Sequence, residues 1–334
     1  MYILPILSLL NLATALPQRN QGSSNRNGGN RNGATQRATA QQQAAQIPQG
    51  VSTAVDGSTI LDDTVTVNGL PLRFRISAPS SQFLSDSGVP GASADSSNGT
   101  FGINILLHGD GGQSFFDFPN QAVSSNLLGI ALLAPDPNLF WGGGSGLQRT
   151  DGVAHSQAVA DFINDALPKL VSFDRRKVFF TGVSGGSLML SGFFIPSQMS
   201  QFENAGVMLN CGGLVPQVDF VDEETVLRGT RIHWQSTQSE LVSLQRSIPQ
   251  AVAAYEKSAA QVGLGLDEIN GLQTVDNSPA GGHCEFDGQG FSSGIQVMAD
   301  AFADVMLGGG SGEVVGIGNV LNGVVGNERL RFEG

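Results

Sequence analysis

The chain has 334 residues, 40% of them hydrophobic and 14% charged, with 45 glycines and a net charge of −12. That length can bury a large core in one or two domains. The four arginines before residue 50 face no acids, which leaves 13 bases against 29 acids elsewhere, a balance of −16. So acidic a body repels phosphate backbones and argues against a nucleic-acid partner.

In chain order, the first expected element is a leader. Residues 1–15, MYILPILSLLNLATA, are an uncharged apolar run ending in Ala13-Thr14-Ala15. The run is too short to span a bilayer and suits a signal peptide with a small-residue cleavage site. No later segment approaches about 18 uninterrupted apolar residues, and NERLRFEG at the C-terminus is too charged for a lipid-anchor signal. The expectation is a secreted, extracellular protein with no membrane partner. Residues 16–50 are mostly Gln, Asn, Gly, Arg and Ala. They lack the apolar surface that would offset ordering entropy, so disorder is expected there.

A folded domain is expected over 51–307, followed by a Gly-rich extension over 308–334. Residues 59–69 and LPLRFRISAP (70–79) alternate like strands with one wet face. FGINILLHG (101–109), GIALLAPDP (129–137) and KVFFTGVS (177–184) are short continuous apolar runs, as in buried parallel strands. Between the last two, Val159, Phe162, Ile163, Ala166, Leu167 and Leu170 recur at helical spacing. AGVMLNCGG, GTRIHWQS and LQTVDN read as further strands, LQRSIPQAVAAYEKSAAQVG and SGIQVMADAFADVML as helices. This alternation predicts an α/β fold, a single domain whose mostly parallel central sheet carries helices on both faces.

Asn98-Gly99-Thr100 is a glycosylation sequon in a polar loop. Cys211 and Cys284 are the only cysteines. An oxidising compartment favours one disulfide between them, which in the chain-entropy account stabilises by roughly 4 kcal/mol; two buried thiols are the alternative.

The chemistry centres on Gly182-Val183-Ser184-Gly185-Gly186, a G-x-S-x-G sequence placed directly after a buried strand and before a helix. There the turn is tight, its flanking positions must be small, and the serine hydroxyl projects above the carboxyl ends of the strands. A serine needs a base to take its proton and a third group to orient that base. Of four histidines, His283 lies in the Gly/Pro-rich loop DNSPAGGHCEFDG and is the base candidate, while His155 and His233 read as structural. His108 opens HGDGG, whose glycines let backbone N–H groups face a developing oxyanion. The expected donors are the N–H groups of Asp110 and Gly185. For the acid, Glu240 follows the strand RIHWQ and a polar turn; Asp219, Asp222, Glu223 and Asp276 remain rivals. No His/Cys grouping has metal-ligand spacing, and no cofactor is implied.

With these pieces the chain resembles the α/β-hydrolase superfamily. More narrowly, it is similar to the secreted carbohydrate esterase family one and polyhydroxybutyrate depolymerase-like esterases. The likeness covers roughly 60–305, most specifically ILLHGDGG, ADFINDALPKLVSFDRRKVFFTGVSGGS and GGHCEF. It implies a serine esterase acting on an ester-bearing polysaccharide or a small ester, with Trp141 of APDPNLFWGGG and His108 at the substrate pocket. Two departures stand out. Ser239 occupies the position where those enzymes carry the acid-loop aspartate, with Glu240 one step later. Val183 stands where tannase-like relatives carry the cysteine that bridges to the one after the histidine. Other readings of the same machinery are a polyester depolymerase, a secreted peptidase and a catalytically impaired binding protein.

Overall fold

The computed structural model describes residues 39–54, 57–112, 115–116, 126–202, 204–240, 246–277 and 279–286, with the backbone of 313–314 and 318–319. The proposed signal peptide, the leader up to residue 38, the helix expected over 293–307 and nearly all of the Gly-rich extension lie outside the described residues.

Nine strands form one sheet: β1 (Gly50–Thr53), β2 (Thr59–Val67), β3 (Leu70–Ala78), β4 (Gly102–Leu107), β5 (Leu127–Leu133), β6 (Val178–Val183), β7 (Gly206–Asn210), β8 (Arg231–Gln235) and β9 (Gln273–Asp276). Their order is β1-β2-β3-β5-β4-β6-β7-β8-β9. The first three pair antiparallel with each other, and β3 with β5; the remaining pairings are parallel. This is the α/β architecture, mostly parallel, that the alternating pattern predicts.

Local chemistry explains the elements. Asn68 and Gly69, at φ 51° and 79°, turn β2 into β3, with Val67 opposite Leu70. Asn-Gly at left-handed angles matches the twist that a two-residue hairpin needs. Strands β4, β6 and β7 are buried at every position, so both faces of the sheet are covered. The polar exceptions pair: Thr181 in β6 donates to Asn104 Oδ1 in β4 at 3.1 Å.

Seven helices are described: α1 (Ala40–Ala44), α2 (Gly152–Asp161), α3 (Gly185–Met189), α4 (Ile195–Gln198), α5 (Glu223–Gly229), α6 (Ser247–Gln261) and α7 (Leu266–Leu272). In α6, Ile248, Ala251, Val252, Tyr255 and Ala259 are buried, a stripe at three- and four-residue spacing facing the core. The expected helix at 154–170 is regular only to Asp161 and continues as a π turn over Phe162–Ala166. A second π turn, Leu190–Phe194, joins α3 to α4. It leaves the Ser191 carbonyl to accept from the Tyr255 hydroxyl at 2.5 Å and the Gly192 carbonyl to accept from Gln217 N at 2.8 Å. Those bonds dock α6 and the loop after β7 onto the helix behind Ser184.

The expected disorder of 16–50 does not extend over its last residues. Thr39 caps α1, and Arg73 donates to Ala44 O at 2.8 Å and Ile47 O at 3.2 Å. Arg73 itself is held by Asp62. A buried guanidinium must find acceptors, and this segment supplies two, an attraction invisible in the segment's own composition.

Candidate active site

The strand order reverses around β4, which pairs with β5 on one side and β6 on the other. Ligands of open α/β sheets bind beyond the carboxyl ends of strands at such a point, and both Ser184 and the HGDGG loop emerge there. Ser184 sits at φ 48° and ψ −109°, strained for a residue with a side chain. A Cβ on Gly182 would lie 2.7 Å from Ser187 N, and one on Gly186 2.1 Å from Leu107 O. Only glycine fits either position without a shift. Asn210, at the end of β7, fastens the turn: its carbonyl accepts from Ser184 N and from Ser187 Oγ, each at 2.9 Å. Its side-chain Nδ2 donates to Gly182 O at 3.0 Å.

Two loops bring the other groups to Ser184. The one after β8 zips onto the one after β9 through Gln238 N to Pro279 O at 2.8 Å, Ser239 N to Gly281 O at 3.3 Å and Thr237 Oγ1 to Gly282 O at 2.9 Å. His283 Nε2 then lies 2.9 Å from Ser184 Oγ, and its Nδ1 lies 2.5 Å from Glu240 Oε1. Glu240 is fully buried, and its second oxygen accepts from Cys284 N at 3.4 Å. An ionised carboxylate only accepts, so Nδ1 carries the ring proton and Nε2 is left to accept from the serine. Cys284 is disulfide-bonded to Cys211, the residue after β7, with Cα atoms 5.3 Å apart. The bridge ties the loop bearing His283 to the sheet. The group Cys211, His283 and Cys284 is compact, yet its two sulfurs are bonded to each other, which leaves one ordinary ligand there.

The rival acids sit elsewhere. Asp276 is buried at the end of β9 and accepts from Gln235 Nε2 at 3.0 Å. Asp222 caps α5 by accepting from Thr225 N at 3.1 Å, and Asp219 and Glu223 line a groove beside α6.

The residues of the two expected oxyanion donors lie close together beside the nucleophile. A Cβ on Gly185 would lie 3.3 Å from Asp110 N, and one on Gly109 3.5 Å from Ser184 Cβ. Gly185 opens α3, where N–H groups have no intrahelical acceptor. Among the described residues neither donor has a hydrogen-bond partner.

His108 and Trp141 depart from the expected pocket wall, since neither has exposed surface. His108 Nδ1 donates to Gly109 O at 2.6 Å while Nε2 accepts from Ala134 N at 2.9 Å. Burial lowers its pKa to about 4, which keeps the ring neutral. Trp141 packs between His108 and His155, with ring centroids 5.5 and 6.1 Å away. His155 Nδ1 accepts from Gly142 N at 2.8 Å. The three rings form a layer under the loops; glycines beside a Trp mark a bend but do not say which way the ring turns. His233 is bonded within the sheet to Thr274 and Gln235. Asn98 is exposed in the loop before β4.

Two residues near the reacting atoms escaped the sequence reading. Asn210 had a signal, as a polar residue ending an apolar strand. Arg149 is a lone base in a Gly-rich loop, and it grips Asp110 with Nη1 to Oδ1 at 2.8 Å and Nη2 to Oδ2 at 2.7 Å.

Neither a search of family models nor one of curated proteins found a match. Solved structures similar to the chain include a thermostable esterase at 16% identity and TM-score 0.46, covering 71% of this chain and 64% of that one, less than two thirds of its length. The poly(3-hydroxybutyrate) depolymerase LpqC from Bordetella parapertussis matches at 14% identity and TM-score 0.47, covering 73% of this chain and 90% of that one. A feruloyl esterase module from Clostridium thermocellum complexed with sinapinate matches at 14% identity and TM-score 0.39, covering 70% and 84%. Likeness this remote assigns no chemistry, which rests on the site's own geometry.

Proposed function

We propose that the chain is a secreted serine esterase that hydrolyses carboxylic esters through an acyl-enzyme. One observation carries the reading: Ser184, His283 and Glu240 form a hydrogen-bonded chain at 2.9 and 2.5 Å beside two N–H groups that have no acceptor among the described residues. Ser184 Oγ attacks the ester carbonyl carbon as its proton passes to His283 Nε2. The carbonyl oxygen takes the electron pair and is stabilised by the N–H groups of Asp110 and Gly185. Collapse expels the alcohol, which leaves with the proton from Nε2. Water, deprotonated by the same nitrogen, attacks the acyl group; release of the acid returns the proton to Oγ. Glu240 holds the ring in the required tautomer and stabilises the imidazolium.

The apolar run at 1–15 and the Cys211–Cys284 disulfide support secretion. Acyl groups on polysaccharide are the substrate class proposed, on the resemblance of the motifs. The binding-protein reading drew on Ser239 standing where an aspartate was expected; Glu240 at 2.5 Å from His283 supports the esterase reading instead.

The test is a fluorophosphonate probe on the secreted protein and on Ser184→Ala. Stoichiometric labelling that the substitution abolishes is expected, followed by turnover of acetyl, feruloyl or short-chain aryl esters. A well-folded protein that takes no label rejects the mechanism.

A further inference from the structure

Asp110 presents a conflict. Its N–H is one oxyanion donor, yet its carboxylate lies against the other: a Cβ on Gly185 would be 2.0 Å from Asp110 Oδ1. A negative charge there opposes the charge that develops on the ester oxygen. Arg149 meets that carboxylate with two parallel bonds at 2.8 and 2.7 Å. Its side chain is 1% exposed, against 27% for Asp110. From behind, Nη1 also donates to Trp141 O at 3.2 Å, and the guanidinium carbon lies 5.9 Å from the centre of the Phe140 ring. A guanidinium this dry is costly to desolvate and is weak evidence for stability on its own. Its placement at the rim of the reacting site calls for another reason.

We propose that Arg149 is a positioning residue for ester hydrolysis, fixing the Asp110 loop and cancelling the carboxylate beside the two oxyanion donors. The proposal rests on the acyl-transfer reading above. It makes Asp110 tolerable as a donor only while Arg149 is present. The fork is specific to arginine, because a lysine would supply the charge without the paired geometry. The effect belongs to the transition state, since the ground-state carbonyl carries little charge, so kcat moves more than KM.

The experiment compares wild type, Arg149→Gln, Arg149→Lys and the double variant Arg149→Gln/Asp110→Asn. Each is assayed with 4-nitrophenyl acetate and normalised to fluorophosphonate-reactive Ser184. Losing one oxyanion donor typically costs 10²–10³-fold, so Arg149→Gln should lower kcat by about 100-fold with KM within about threefold. Arg149→Lys should fall between it and wild type. Removing the opposing carboxylate in the double variant should recover about tenfold or more of kcat. A scaffolding role alone predicts no recovery, and that result overturns the proposal, as does a wild-type kcat in Arg149→Gln. If Arg149→Gln does not fold, Arg149→Met/Asp110→Asn leaves no buried charge unpaired and is expected to keep kcat within about tenfold of wild type. A loss of about 100-fold in that folded variant overturns the proposal instead. Wild-type protein that takes no fluorophosphonate label overturns the acyl-transfer reading before Arg149 is measured, so the two failures are distinguishable.

Discussion

Arg73 and Arg149 each hold one aspartate in a forked grip, at opposite sides of the functional divide. Arg73 donates to Asp62 through Nε at 2.7 Å and Nη2 at 2.9 Å, with side chains 6% and 12% exposed. Two further donors go to the carbonyls of Ala44 and Ile47, and its guanidinium carbon lies 5.4 Å from the centre of the Phe116 ring. Nothing there reacts, so that pair fastens a peptide segment to the sheet. Arg149 has a partner that is partly open to solvent and pressed against Gly185. The two pairs share their chemistry and differ in what adjoins the carboxylate. The neighbour, more than the bond, decides whether an ion pair serves stability or reactivity.

The sharpest separation of the two regions comes at the site itself. Glu240→Gln keeps the size of the side chain but lets its amide face Nδ1, which favours the wrong ring tautomer. A fall in kcat of about 10³–10⁴-fold is expected, read with an aryl ester on protein whose near-UV circular dichroism is unchanged. A rate close to wild type would remove Glu240 from the mechanism.

Next in size is Arg73→Gln, which takes both short bonds from Asp62, leaves it the longer contact with Arg75 Nε at 3.7 Å, and should lower unfolding stability by about 3 kcal/mol. Urea titration measures that loss, while kcat per labelled serine should stay at the wild-type value. An equal fall in kcat would erase the contrast with Arg149.

Acid acts on both the reactive edge and the sheet interior. Burial lowers the pKa of His108 and of His233 to about 4, against an ordinary value of 6.5, and lowers that of His155 as well. Between these limits the unfolded chain binds more protons than the folded one. Stability is therefore complete above pH 6.5 and declines as pH falls toward 4, by about 3 kcal/mol for each of His108 and His233. Urea midpoints measured from pH 8 to 4 should trace that decline, and a flat profile would show that the rings are not held neutral.

What the sequence discloses follows the range of the interaction. The sheet is written in short apolar runs bounded by glycine, and Ser184 in a motif whose small neighbours are a steric necessity. Glu240 is preferred over Asp276 on the strand and turn that precede it, and the zipping of two loops is what sets it against His283. His108 and Trp141 were visible as residues near the site but not as a buried layer, because side-chain direction in a Gly-rich loop leaves no period to read. Arg149 lies 39 residues from Asp110, and nothing local marks the pairing. The order of residues 39–50 draws in part on Arg73, whose demand for acceptors is met from 29 residues away.

The parts of the candidate site follow one another along the chain: oxyanion loop after β4, nucleophile after β6, acid after β8 and base after β9. His283 lies 99 residues beyond Ser184 and beside a disulfide partner 73 residues from its mate. During synthesis, every chain that ends between residues 184 and 283 carries the serine without its proton acceptor. Under the proposed mechanism, competence arrives when the loop after β9 is laid across the sheet and pinned, so hydrolytic activity reports that the nine-stranded sheet has closed.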